Sequence, residues 1–208
     1  MPAFLRCLSV LLVASMFQCG AAQAAGRILV YGDSLSAAYG IAEKRGWVAL
    51  LAERLSSERL DYSVANASIS GETSAGGLAR IARALDTHKP VVVILALGAN
   101  DGLRGLPVAE MKKNLAAIAK AAQGAGATVL IAGMRLPPNY GPDYAASFDA
   151  AFAEVARAQK AVLVPFLLAG VAEKSELFQA DRLHPTEAAQ PIVLDNVWKS
   201  LRPLLKTR

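Results

Sequence analysis

Thiols and imidazoles are scarce in this chain of 208 residues, which has only Cys7, Cys19, His88 and His184 to offer. Zinc catalysis draws on several His, Cys or carboxylate ligands together, and no His-Glu-x-x-His pattern occurs, so a metalloenzyme is disfavoured. Charged residues are also few, at 19% against 54% apolar, the reverse of what a disordered or heavily solvated chain shows. The net charge is +5, but the basic residues are spread along helical segments between acidic ones. A nucleic-acid footprint needs clustered charge, and none is expected. Beyond the first two dozen residues no apolar stretch reaches transmembrane length, so no stable membrane insertion is expected.

Those first residues read as an export signal. Arg6 precedes the apolar run from Leu8 to Ala14, and Ala22-Gln23-Ala24 puts small residues at the −3 and −1 positions of a cleavage site before Ala25. A lipoprotein reading at Cys19 fails because Met16-Phe17-Gln18 lacks the small residue required just before the cysteine. The expectation is a signal peptide over residues 1–24 and a single domain over 25–208 in the periplasm or outside the cell. Both cysteines leave with the signal, so the mature chain depends on core packing without disulfides.

Strand and helix patterns alternate through the rest. Arg27–Tyr31, Tyr62–Asn66, Val91–Leu97, Thr128–Ala132 and Val162–Val164 read as strands, the third continuous and β-branched as in a central strand buried on both faces. Between and after them lie helical stripes, including Trp47, Leu50, Leu51 and Leu55; Val108, Met111, Leu115 and Ile118; and Leu194, Val197, Trp198 and Leu201. The pattern predicts an α/β fold, a three-layer α/β/α sandwich with a flavodoxin-like parallel sheet of about five strands. In such sheets ligands sit beyond the carboxyl ends of the strands.

That rule sorts the two histidines. His88, in Asp86-Thr87-His88-Lys89-Pro90, precedes a strand and so lies at the amino edge, where a solvated helix-end cation is the plain reading. His184 follows Asp181 by three residues, so the carboxylate can accept the ring Nδ1 proton, although an aspartate cap beside a surface histidine explains the pair equally well. Ser34 closes the first strand in Gly32-Asp33-Ser34, a place for a nucleophile on a strand-to-helix turn with a helix N-terminus behind it. Alone, that tripeptide is better explained as a helix cap, and it lacks the Gly-x-Ser-x-Gly spacing of an α/β-hydrolase elbow. The Ser34 and Gly71 backbone N–H groups and the Asn100 side chain could stabilise an oxyanion, or could be ordinary turn chemistry.

Taken together, Gly-Asp-Ser-Leu-Ser, an isolated glycine, Gly-x-Asn-Asp and Asp-x-x-His occur in one order and all fall at one predicted sheet edge. This set resembles the SGNH (GDSL) hydrolases, with the four named residues at Ser34, Gly71, Asn100 and His184. The stretches Asn66–Thr73, Gly98–Gly105 and Arg135–Gly141 look like the multifunctional bacterial thioesterase I, lysophospholipase L1 and arylesterase group; one departure is Ala99, where close relatives often carry glycine. The resemblance implies a serine hydrolase of carboxylic esters and thioesters, including aryl esters and lysophospholipids. Ser34, Asp181 and His184 are then the catalytic residues, and Ser34, Gly71 and Asn100 form the oxyanion hole. It implies no metal and no cofactor.

For substrate contacts, glycines bracket Leu103 and Arg104 in Gly102–Pro107, which suits a mobile flap over an acyl chain as well as a plain surface loop. Arg135, Pro138 and Tyr140 belong to a second rim loop. The competing expectations are a carbohydrate O-deacetylase on the same scaffold, weakly opposed by an aromatic content of 6%, and a non-catalytic flavodoxin-like binding module, which has no need of Ser34 or His184. The expected partner is a small-molecule ester, with a monomer as the default assembly.

Overall fold

The structure is a computed structural model that describes residues 26–206. The proposed signal peptide and both cysteines lie outside the described residues. Five strands, β1 (Gly26–Gly32), β2 (Tyr62–Asn66), β3 (Val92–Ala96), β4 (Thr128–Ala132) and β5 (Val162–Val164), form one sheet in the order β2-β1-β3-β4-β5. Every pairing is parallel, as it must be when helices carry the chain back between strands. The helices are α1 (Trp47–Ser57), α2 (Ser74–His88), α3 (Ala99–Leu103), α4 (Val108–Gly124), α5 (Pro142–Ala158) and α6 (Gln190–Leu201).

Alternation along the central strands divides the core in two. Ile28 and Val30 of β1 and Ile94 of β3 pack with Trp47, Leu51 and Leu55 of α1 and Val193 and Val197 of α6. Leu29, Tyr31 and Leu95 face the other way, toward Ile81 of α2, Leu115 and Ile118 of α4 and Phe152 of α5. This is the expected three-layer α/β/α sandwich. Both faces of β1 and β3 are fully covered, and burying each large apolar side chain there contributes about 1.5–3 kcal/mol. Among the described residues no helix is long and apolar enough to cross a membrane.

Hydrogen bonds from buried polar groups tie this core to the carboxyl edge of the sheet. The Tyr31 hydroxyl donates to the Gly77 carbonyl at 2.6 Å. Buried Gln190 of α6 accepts from the Trp47 N–H at 3.0 Å, capping α1, while the Trp47 indole donates to the Leu35 carbonyl at 3.1 Å. One tryptophan thus joins the apolar core to the loop after β1, and its truncation to alanine would cost about 3–5 kcal/mol.

The structure departs from the sequence reading around residue 99. Gly98–Asp101 reads as a turn and Gly102–Pro107 as a flap or a plain surface loop, but Ala99–Leu103 is a short helix. Five residues are too few to show a helical stripe, and the segment is held by contacts from elsewhere. Gly102 is buried so closely that a Cβ there would meet Phe148 at 2.5 Å. The buried Asp101 carboxylate accepts from the Ser74 N–H at 2.8 Å and the Ser74 hydroxyl at 2.6 Å, placing an anion at the start of α2. The tyrosine hydroxyls of Tyr140 and Tyr144 donate to the carbonyls of Leu103 and Leu106. The first of the two bracketing glycines is therefore packed, not a free hinge.

Candidate active site

The loops after β1, β2, β3 and β4 meet at one edge of the sheet, joined by the segment before α6. His88 is at the other edge, as the last residue of α2, with its carbonyl accepting from Arg27 at 3.3 Å. After β1 the chain turns at once: Asp33 Oδ1 accepts the Leu35 N–H at 3.0 Å, and its carbonyl accepts from Ser36 and Ala37. The sequence predicts a helix N-terminus behind Ser34. Instead the chain passes through successive turns, and Ala38 (φ 55) and Gly40 (φ 75) stop them from growing into regular helix, which begins only at Trp47.

Ser34 and His184, 150 residues apart in the chain, meet there: Ser34 Oγ lies 2.9 Å from His184 Nε2. The other ring nitrogen, Nδ1, is 2.7 Å from Asp181 Oδ2. Asp181 does more than the spacing suggests, because its Oδ1 also accepts the backbone N–H groups of Leu183 (2.9 Å) and His184 (3.0 Å). One carboxylate therefore shapes the loop and aims the ring. The His184 N–H, the His184 ring and the Leu183 N–H, in that order, hold the Asp181 carboxyl down at about 2, so it is ionised at neutral pH.

Gly71 and Asn100 line the same cavity as Ser34 and His184. Asn100 Nδ2 donates to Asp33 Oδ2 at 3.3 Å, which leaves its second amide hydrogen for another acceptor. Asp33 is 1% exposed, and burial pushes its carboxyl up to about 7, against the opposing hydrogen bonds from Leu35 and Asn100. The residue that reads from sequence as a cap is thus also a buried anchor between the Ser34 loop and α3.

The cavity has a volume of about 790 Å³, within the range of a small-molecule site. Away from the polar groups its wall is apolar, built from Leu103, Met134, Leu136, Phe148, Phe166 and Leu168. Of the predicted rim residues, Leu103 and Arg135 line it directly. Arg104 and Tyr140 reach it through the backbone, Arg104 by donating to the Gly71 carbonyl at 2.8 Å and Tyr140 by donating to the Leu103 carbonyl at 3.0 Å. Pro138 opens a single 3-10 turn, Pro138–Tyr140.

Other lining residues carried no signal of their own. Phe148 reads as plain core on a helical stripe, and Phe166 and Leu168 lie in a loop after β5 with no pattern at all. Tyr39, whose ring stacks on His184, could have been found only by noticing that it shares the Ser34 loop.

Known proteins resemble this chain over most of its length. Over 182 residues the chain is 53% identical to the esterase TesA of Pseudomonas aeruginosa, covering 88% of this chain and 90% of that one. It is 40% identical over 184 residues to thioesterase 1/protease 1/lysophospholipase L1 of Escherichia coli, covering 88% and 87%. Among solved structures, the esterase EstA of Pseudoalteromonas superposes with a TM-score of 0.83 at 43% identity, covering 86% of this chain and 98% of that one. Residues 30–191 match the model of one family, and the chain belongs to it: the GDSL-like lipase/acylhydrolases.

Proposed function

We propose that this protein is a serine hydrolase that cleaves carboxylic esters and thioesters through an acyl-enzyme. The observation that carries the reading is the 2.9 Å contact between Ser34 Oγ and His184 Nε2, with Asp181 on the opposite ring nitrogen. His184 Nε2 takes the Ser34 proton as Oγ attacks the carbonyl carbon. Asp181 keeps the Nδ1 proton in place and offsets the charge of the imidazolium. The carbonyl oxygen, now an oxyanion, accepts from the Ser34 and Gly71 N–H groups and the second hydrogen of Asn100 Nδ2. His184 then protonates the departing alcohol or thiol, and a water activated by the same ring releases the acid.

The apolar wall favours a fatty-acyl group over a sugar ring, and nothing in the site favours the deacetylase alternative. The relatives named as arylesterase and lysophospholipase support aryl esters and lysophospholipids as substrates. The N-terminal pattern supports export, with residues 1–24 removed and a monomeric domain of residues 25–208 acting in the periplasm. There phospholipid-derived esters are a more accessible target than coenzyme A thioesters. The test is turnover of p-nitrophenyl esters of increasing acyl length by wild type and Ser34→Ala. We expect a loss of about 10⁴-fold or more in kcat with the melting temperature retained. Equal rates for the two proteins would overturn the assignment.

A further inference from the structure

Two hydrogen bonds and the bond to Cβ set the ring of His184, and its side-chain torsions must hold it there through the proton transfer. Nδ1 points to Asp181 and Nε2 to Ser34, and both contacts restrain the imidazole only at its edge. A contact on the ring face would oppose rotation of the side chain out of that alignment. Tyr39 supplies one: its ring centroid lies 4.4 Å from that of the imidazole, at an interplanar angle of 35°. Tyr39 belongs to the nucleophile's own loop, and its N–H donates to the Ser34 carbonyl at 3.3 Å.

Gln179 binds this loop to the histidine loop. Its side-chain amide donates to the Tyr39 carbonyl at 2.8 Å and to the Pro185 carbonyl at 3.1 Å, and its backbone N–H donates to the His184 carbonyl at 2.8 Å. The fit is close: a Cβ on Gly40 would lie 2.1 Å from Gln179 Oε1, so a side chain after Tyr39 would displace the amide from this position.

Resting on the assignment of Ser34 and His184 as nucleophile and base, we infer that Tyr39 is a positioning residue for that base, clamped in place by Gln179. The tilted ring contact opposes rotation of the imidazole away from Oγ and so helps keep Nε2 aimed at it. It also presents the electron-rich face of the phenol to the imidazolium that exists only after proton transfer. Asp181 meets that cation at its edge and Tyr39 meets it at its face. An interaction that strengthens as the charge develops lowers the barrier, so its loss appears in kcat and not in KM.

A double-mutant cycle on the full chain tests this, with p-nitrophenyl acetate as a substrate too short to need the apolar wall. Tyr39→Leu is expected to lower kcat about tenfold with KM within about twofold, and Tyr39→Phe to restore kcat to within about twofold. Gln179→Leu, which leaves the ring intact and frees its loop, is expected to lower kcat about threefold. In a His184→Ala background, Tyr39→Leu is expected to cost nothing further, because the group it acts through is gone. If Tyr39→Leu slows the residual reaction of His184→Ala as much as it slows wild type, or changes only KM, the clamp is refuted and the base stands. If His184→Ala is as active as wild type, the base assignment falls and takes the clamp with it.

Discussion

The two walls of the cavity are held by different forces. The polar wall of Ser34, Gly71, Asn100 and His184, carried on three loops and the start of α3, is tied by hydrogen bonds: the His184 N–H donates to Asp181, Asn100 to Asp33 and Arg104 to the Gly71 carbonyl. The apolar wall rests on packing, with Phe148 of α5 set edge-on against Phe152, their centroids 5.2 Å apart. Hydrogen bonds have preferred directions and fix reacting atoms to fractions of an ångström, whereas dispersion is non-directional and tolerates changes of shape. Substitutions in the first wall should therefore change rate, and substitutions in the second should change which acyl chain is accepted.

After Ser34 itself, the largest effect should come from removing a donor from the polar wall. Asn100→Ala is expected to lower kcat by about 10²–10³-fold for short and long esters alike. A loss confined to long esters would place Asn100 with the acyl contacts and erase the distinction. On the apolar wall, Leu103→Ala keeps α3 and removes three carbons from the lining. It should lower kcat/KM for long esters by about 10-fold while leaving the acetyl ester within about twofold, from the lost transfer energy of the side chain. An unchanged chain-length profile would show that bound acyl chains do not pass Leu103.

The smallest effect belongs to Asp33, the polar anchor buried at the seam, and is read in stability. Its carboxyl is raised from 3.8 to about 7, so between those values the folded protein holds a proton that the unfolded chain has released. The stability it contributes is complete below 3.8 and lost as pH rises through about 7. Asp33→Asn lacks this dependence, so its melting temperature should rise relative to wild type by a few degrees between about pH 5 and about pH 8. A difference that stays constant with pH would mean that Asp33 is ionised throughout.

Much of this was legible in the residues. The strands at Tyr62–Asn66, Thr128–Ala132 and Val162–Val164 have the bounds the sequence predicts, and for β4, buried from Val129 to Ala132, the reason is that a strand covered on both faces writes its burial directly into composition. Ser34, Gly71, Asn100 and His184 were legible as a constellation in which each member alone is a commonplace turn residue. The short helix α3 was not legible, since its stability comes from Asp101 on Ser74 and from Phe148 against Gly102, contacts with partners more than 25 residues away. The second role of Asp33 was hidden for the same reason. A capping aspartate looks identical in sequence whether or not a distant asparagine closes over its free oxygen.

Composition and periodicity alone determined the layered parallel sheet and the edge at which chemistry could occur, because burial and strand direction are summed over many residues and survive local ambiguity. Only the tertiary structure decided that the imidazole rests between Asp181, Ser34 and the ring of Tyr39, and that Asp33 is shut away from water. Those outcomes depend on ångström-scale contacts between loops remote in the chain, where direction and dielectric matter and residue type alone carries neither.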